Sequence, residues 1–380
     1  MKQNKLHCIA FLLFLLCNSA YNGVSAQGKI QQLLNRYYKL VEGDSAKPKK
    51  SVLFVLPLWD VTPETGIKLG FSLGYIFRMG PAETTRPSLL RLNSSYTQNR
   101  QFNIRPSVDI FFKENTYNLK AQYVYNDFNE YYWGIGPLTL ATAKEAYDFQ
   151  QHKINLRFTK QVVKNVYAGA QLAYERLNHI HFKEGSPSPT SGVEGINGYN
   201  ILGAGFCFAY DNRNNIYYPS KGAYLELSNY FYFPSGLSQQ KFQNSTLDMR
   251  KFFPLWKENI LAIQGFSSLN FGNVPYRQMG VMGNEMIMRG YYNGRFRDQH
   301  FAALQAELRK TIWGPIGMVF FGGFGNVAMQ ASNLLQQVKP NYGFGFRFNA
   351  LRKEHINVRM DFGFGENKIK GFYFTMSDAF

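Results

Sequence analysis

Cysteine is nearly absent from this chain. Three occur in 380 residues, and Cys8 and Cys17 fall in an N-terminal stretch built like a cleaved leader. The one left, Cys207, cannot form an internal disulfide, which excludes a disulfide-built fold. In its strand-like surroundings Cys207 reads as a small apolar wall residue. Long hydrophobic runs are missing as well. Beyond the leader no stretch reaches about 18 apolar residues, which excludes a membrane-spanning helix. Catalytic and cofactor signatures are equally scarce: there is no phosphate-binding loop and no Cys/His metal cluster. His179 and His181 lie two apart in an expected outer loop, a setting that fits solvent better than a metal. Gly70-Phe71-Ser72-Leu73-Gly74 has the form of a nucleophile elbow. That motif needs a strand, a sharp turn and a helix, whereas these residues sit inside an alternating strand. The expectation is a protein that is not an enzyme and that uses no cofactor and no metal. Acids are few, 25 against 42 bases, giving a net charge of +17, or +15 once Lys2 and Lys5 leave with the leader. The bases are scattered over alternating strands and form no patch, so no nucleic-acid partner is expected. Anionic lipid headgroups and the phosphates of a bacterial outer leaflet suit them better.

What is present begins with that leader. Lys2 and Lys5 supply charge, Ile9 to Cys17 an apolar run too short to span a bilayer, and Val24-Ser25-Ala26 small residues for cleavage. Cys17 raises a lipoprotein alternative, which the bulky Leu16 before it disfavours. The chain therefore divides into a signal peptide over 1–26, a short periplasmic linker over 27–50 and a barrel domain over 51–380. In the linker, Ile30 to Val41 can make an amphipathic helical turn or two, ended by Lys47-Pro48-Lys49-Lys50. Aromatics make up 17% of the chain and glycine is abundant. With an export signal and a mildly polar average, this is the composition of an outer-membrane β-barrel.

From residue 51 a period of two dominates. Phe102, Ile104, Pro106, Val108, Ile110 and Phe112 alternate with Gln101, Asn103, Arg105, Ser107 and Asp109. Ile356, Val358, Met360, Phe362 and Phe364 alternate with Asn357, Arg359, Asp361 and Gly363. An apolar face toward lipid and a polar face toward a lumen explain this; a soluble sandwich would give the same alternation. The connections separate the two. Sixteen strand candidates can be counted, and the long connections, 128–147, 179–197, 273–299 and 327–340, follow candidates 5, 7, 11 and 13. All four therefore lie at one end, with short turns at the other, as in an antiparallel transmembrane barrel with long extracellular loops. A last strand over 369–378 puts Phe372, Phe374 and Met376 on one face, with Phe380 at the same parity and Asp378 as the exception.

Three segments carry a family resemblance: PLWDVTPETGIKLGFSLGYIF (57–77), DNRNNIYYPSKG (211–222) and GVMGNEMIMRGYYNGRFRDQHFAALQAELRK (280–310). They resemble the outer-membrane protein assembly factors of the BamA and TamA type, the bacterial surface antigen family, and the likeness spans nearly the whole mature chain. The resemblance implies that the loop holding Arg289, Gly290 and Tyr291 folds into the lumen, where the arginine meets wall acids. Glu307 matches one such acid, and it points inward if Leu304 and Leu308 face lipid. The family's Phe-x-Asp-x-Gly on the next strand here reads Phe321-Gly322-Gly323-Phe324-Gly325, with glycine at the acid position. Either the loop is held less firmly or another acid substitutes. Asp211, Arg213 and Asn214 are read as capping an irregular periplasmic turn, with Pro219 and Gly222 setting its backbone. The ending Phe374, Met376, Phe380 resembles the signal by which the outer-membrane assembly machinery inserts such barrels.

The resemblance also implies a seam between Val52 to Trp59 and Gly371 to Asp378, which in BamA-like relatives opens sideways to admit client strands. Pro57 removes a backbone donor there. Only residues 27–50 precede the first strand, too few for the family's periplasmic POTRA repeats. The function expected is assistance in inserting or exporting proteins at the outer membrane, with client proteins and a separate periplasmic partner. The alternative is a passive or gated pore, or a purely structural barrel.

Overall fold

Residues 25–42, 51–62, 66–183, 192–236, 239–376 and 378–380 are described in the computed structural model. The expected signal peptide lies outside them except for its last two residues, as do the Pro63-Glu64-Thr65 turn and the end of the linker over 43–50. Alternation along the chain becomes one antiparallel sheet in sequence order. Its strands are β1 (Ser51–Thr62), β2 (Gly66–Phe77), β3 (Ser88–Thr97), β4 (Phe102–Phe111), β5 (Tyr117–Tyr132) and β6 (Glu145–Val163). They continue with β7 (Val166–Phe182), β8 (Tyr199–Asp211), β9 (Gly222–Pro234), β10 (Phe242–Pro254) and β11 (Ile260–Gly272). The long loop after β11 holds a two-stranded ribbon, β12 (Gly280–Met282) with β13 (Phe296–Asp298), which period alone did not reveal. The sheet then resumes with β14 (His300–Trp313), β15 (Ile316–Ala328), β16 (Lys339–Leu351), β17 (Ile356–Gly365) and β18 (Lys370–Met376). The result is a nearly closed sixteen-stranded barrel. Among the described residues no helix is long and apolar enough to cross a membrane.

The sheet sorts its faces. Leu69, Leu172, Leu304, Phe320, Phe324 and Tyr342 stand half or more exposed on the outer wall. Apolar exposure on this scale, repeated strand after strand, requires an apolar solvent around the barrel. Long connections gather at one end and tight turns at the other. His179 and His181 belong to β7 and not to a loop, because β5, β6 and β7 run past the expected ends. β6 has 19 residues and β18 only seven, so the rim is tall at β5–β7 and low where the sheet ends.

Three further features depart from the expectations. The linker is a helix, α1 (Ser25–Glu42), much longer than a turn or two. Leu34 and Tyr38, four apart and hence on one helical face, are buried. Tyr37 donates to Ala350 O at 3.2 Å, Tyr38 donates to Asn349 O, and the Arg352 guanidinium lies 3.7 Å over the Tyr38 ring. The helix is thereby tied to the turn between β16 and β17. The last strand ends at Met376 instead of 378, and Phe380 does not continue its face. Phe380 is buried with Phe252, Ala262 and Ala379, while Asp378 turns inward to Arg347 and Asn357. An inward acid cannot stay on an apolar outer face, so the chain leaves the sheet there.

The third feature is the seam. Among the described residues β1 lies beside β18 without a backbone ladder between them. Val52 and Leu56 occupy the inner face, because Val52 pairs with Ile76 and Ile76 with Leu89, all buried. Ile356 and Val358 have the outward parity of β17. All nevertheless share one apolar cluster. The inner face of β1 thus overlaps the outer face of β17, below the point where β18 stops. Burying such side chains contributes roughly 1.5–3 kcal/mol each, so the seam is held by side chains where backbone bonds are missing. Hydrogen–deuterium exchange should show it: amides of β1 and β18 are expected to exchange at least about tenfold faster than those of β6 and β7. Equal protection would mean a seam as strong as the rest of the wall.

Candidate functional site

Three inward side chains on three strands build the receiving surface for the loop between β11 and β14. Glu307 comes from β14, Phe321 from β15 and Asp361 from β17; Glu307 and Asp361 are fully buried. Into this surface the loop places Arg289, also fully buried. Its guanidinium donates to Glu307 at 2.7 Å and to Asp361 at 2.6 Å, and its flat face lies 3.6 Å from the centre of the Phe321 ring. A planar cation with several donors suits this geometry, since one group can reach two carboxylates while stacking on an aromatic ring.

Asp361 is the acid that the sequence reading lacked. Gly323, third in the Phe321-Gly322-Gly323 run, has no room for any side chain. A Cβ there would stand 2.6 Å from Leu304 O, 2.7 Å from Gln305 Cβ and 3.0 Å from Asn341 Oδ1. The carboxylate instead arrives from β17, two strands further on. Around the acids stand three more arginines. Arg309 donates to Glu307 at 2.8 Å, Arg347 to Asp361 at 2.5 Å and to Asp378 at 2.7 Å, and Arg359 to Asp361 at 2.9 Å. Four guanidiniums therefore share Glu307, Asp361 and Asp378, and the shortage of acids is met by backbone oxygens. Arg309 donates to Pro219 O and Phe380 O, and Arg359 to Glu285 O.

The tripeptide backbone lies flat on the wall. Gly290 has φ +113°, and a Cβ on it would come within 2.7 Å of Phe364 N. On the wall, a Cβ at Gly363 would stand 2.6 Å from Arg289 C. Glycine at both positions is what permits contact between two backbones. Gly290 N donates to the Tyr373 hydroxyl at 2.9 Å, and Asn341 Nδ2 donates to Arg289 O at 3.0 Å. Tyr291 donates to Pro340 O at 2.8 Å and accepts from Glu366 N at 2.9 Å. Its ring fills the space that a side chain at Gly365 would need. Asn341, Tyr373, Gly363 and Gly365 were not singled out from the sequence. Their only signal is inward parity on the last three strands.

Further up the same loop, Arg277 donates to Glu130 at 2.6 Å and lies 3.9 Å over Phe149. Burial alone would lower its guanidinium; the charge of Glu130 outweighs that and holds it well above its ordinary value. Arg295 bonds Thr139, and Arg297 bonds Tyr276 O. An aromatic cluster including Tyr132, Tyr147, Phe149, Tyr199, Tyr232 and Tyr276 packs around the upper loop. The loop thus has a polar anchor at its tip and an aromatic one near its root.

The Asp211 turn closes the other end. Asp211 accepts from Arg213 at 2.8 and 2.9 Å and from Arg86 at 2.7 Å. Burial alone would lower the Arg213 guanidinium, but its hydrogen bonds and charge contact with Asp211 hold it above its ordinary value. Asn214 Oδ1 accepts from Ser220 N and Lys221 N. Gly222 has φ +105°, a conformation favouring glycine. Pro219 does more than shape the turn, since its carbonyl receives Arg309. Asn215, overlooked in the sequence, caps Tyr217 N and Tyr218 N. Burial pushes the Tyr218 phenol up to about 12, helped by the charge of Asp378. It therefore stays neutral beneath the Arg309 guanidinium, 5.3 Å away. Turn, wall cluster and loop form one connected unit. Phe374 and Met376 lie outside it, in β18, paired with Met360 and Val358.

Three comparisons bear on this geometry. The Omp85 superfamily domain matches residues 86–380. A search of curated proteins finds no match to the sequence. Among solved structures the barrel is similar to BamA from Haemophilus ducreyi lacking POTRA domains 1-3, with a TM-score of 0.55 and 15% identity. That match covers 87% of this chain and 70% of the other. CdiB from Acinetobacter baumannii follows at 0.54 and 13% identity, covering 87% and 60%. CdiB from Escherichia coli stands at 0.55 and 9%, covering 88% and 63%. This chain spans less than two thirds of either CdiB, and at such identities the likeness is one of fold.

Removing one partner of a buried ion pair typically costs about 3–5 kcal/mol. Arg289→Ala is accordingly expected to lower the temperature at which the compact band is lost on cold-loaded gels. Arg289→Lys should restore little, because an ammonium cannot bridge both acids while stacking on Phe321. An unchanged transition temperature in both variants would mean that the anchor does not stabilise the barrel.

Proposed function

The chain belongs to the Omp85 superfamily, whose barrels are integral to the outer membrane, and from that premise we propose that it assists insertion or export of proteins there. The observation that carries this reading is the seam. Every neighbouring pair of wall strands is laddered except β1 with β18 among the described residues. A strand edge without a ladder is a template for another strand. Side-chain contacts over the inner face of β1 hold the gap shut, and such contacts separate without breaking a backbone ladder. The loop anchored at Arg289 ties β14 to β17, on the C-terminal side of that seam, and so keeps that flank rigid while β1 moves. Client proteins, and a separate periplasmic partner to deliver them, belong to the same proposal. So does a route to the membrane by a cleaved signal over 1–26 and recognition of Phe374, Met376 and Phe380 by the assembly machinery.

A second reading, a gated pore, draws on one feature. The lumen holds a chamber of about 250 Å³ beside the Asp211 turn, lined among others by Lys120, Arg157, Arg213, Glu226 and Arg250. The Asp211 turn borders it through Arg213, Ile216 and Tyr217.

Depletion of the protein, followed by quantification of the outer-membrane proteome, tests the first reading. Selective loss of other barrels or surface proteins is expected and would identify clients; an unchanged proteome would overturn it. Conductance in planar bilayers tests the second. There the wild type should stay nearly closed, while Arg289→Ala, with its loop released, should open measurable current.

A further inference from the structure

Nearly every inward base in the wall has an acid. Arg157 pairs with Glu226 at 2.6 Å, Lys153 with Glu175 at 2.9 Å, and Arg250 with Asp248 at 2.5 Å. Two bases on neighbouring strands break the pattern. Arg91 of β3 and Arg105 of β4 make no ion pair and no hydrogen bond among the described residues, yet the Nε of each is buried. Both point inward. Arg91 shares its face with the buried Leu89, two residues earlier, and Arg105 lies directly across from Asn93, two residues after Arg91. Between them Asn93 has a buried Oδ1, also without a partner. The two arginines thus stand at diagonal positions of one strand pair, about 7–8 Å apart at Cα, with the partnerless amide oxygen of Asn93 between. That spacing suits one small anion held by both.

A half-buried guanidinium whose Nε is out of solvent and which no acid bonds is costly, and a wall that pairs its other arginines so consistently has no structural need for two left unbonded. Asp109 and Glu285 lie within electrostatic reach of Arg91, but neither bonds it. Glu285 sits exposed at the loop tip, two residues after Gly283, with its backbone oxygen held by Arg359. We propose that Arg91, Arg105 and Asn93 form an oxyanion site inside the lumen, which takes a phosphate group. The guanidiniums donate to the phosphate oxygens and the Asn93 amide, in either orientation, adds a donor or accepts from a protonated oxygen. Beside the site the inner face of β1 is apolar, with Val52, Phe54 and Leu56. The phosphate could therefore be free or be the headgroup of a lipid entering past the seam.

Isothermal titration of the full-length protein in neutral detergent tests this, with inorganic phosphate and lysophosphatidic acid as probes and chloride balancing ionic strength. Binding is expected for the wild type, with an apparent Kd about tenfold weaker in R91Q or R105Q and binding lost in the double variant. K160Q, on the outer wall, should bind as wild type does. If inorganic phosphate binds, the source is a free ion; if only lysophosphatidic acid binds, it is a lipid headgroup, and either result supports the site. No binding by a wild type that migrates as a folded barrel, or equal binding by the double variant, overturns it.

Discussion

One guanidinium organises this barrel. Arg289 holds a long loop against the wall by reaching Glu307 on β14 and Asp361 on β17 at once, and much of the nearby sequence follows from that contact. Two strands separate its acids, so the loop backbone must lie across them, which requires glycine at 290 and at 363. The intervening strand supplies a ring under the cation and a glycine at 323, where a side chain would block the approach. A fully buried cation is tolerated because its charge is met on two sides and its face by π density. The remaining arginines then need acceptors, and they take carbonyls from the Asp211 turn, the chain end and the loop itself. In this way one ion-pair cluster ties together both ends of the lumen.

The seam beside this cluster works on other forces. At the seam the wall replaces a ladder with overlapping apolar faces, and the last residues turn inward to Arg347 instead of extending β18. Helix α1 adds a tie at the same end through Tyr37 and Tyr38. Directional backbone bonds and charge pairs make β14 to β17 stiff. Non-directional burial makes the β1 edge separable. A barrel with one rigid flank and one weak seam has the mechanical difference that strand exchange at an edge requires, and this is why the insertion and export reading is preferred to a passive wall.

How much of this was readable beforehand differs from element to element. The strands were legible because a two-residue period is a local property: Leu304 and Leu308 outward force Glu307 inward whatever the rest of the chain does. The loop end and the turn end were legible from connection lengths alone. Asp361 was visible as an inward acid, yet nothing local connected it to Arg289, 72 residues away. Arg91 and Arg105 likewise stood in plain alternation, and only their neighbours reveal that no acid among the described residues bonds them. The reach of β5 to β7 beyond their expected ends, and the ribbon of β12 and β13, were not legible because polar extensions carry no period strong enough to mark them.

By itself, then, the sequence determined the wall: sixteen strands, their inner and outer faces, and which end carries the loops. Those depend on residues one or two positions apart and on the solvent each face demands. The tertiary structure alone decided which acid receives Arg289, where Phe380 goes and how the first and last strands meet. Each of those depends on closing the barrel, which brings strands distant in the chain to within a few ångströms, and no pattern along one strand encodes the partner that closure will put beside it.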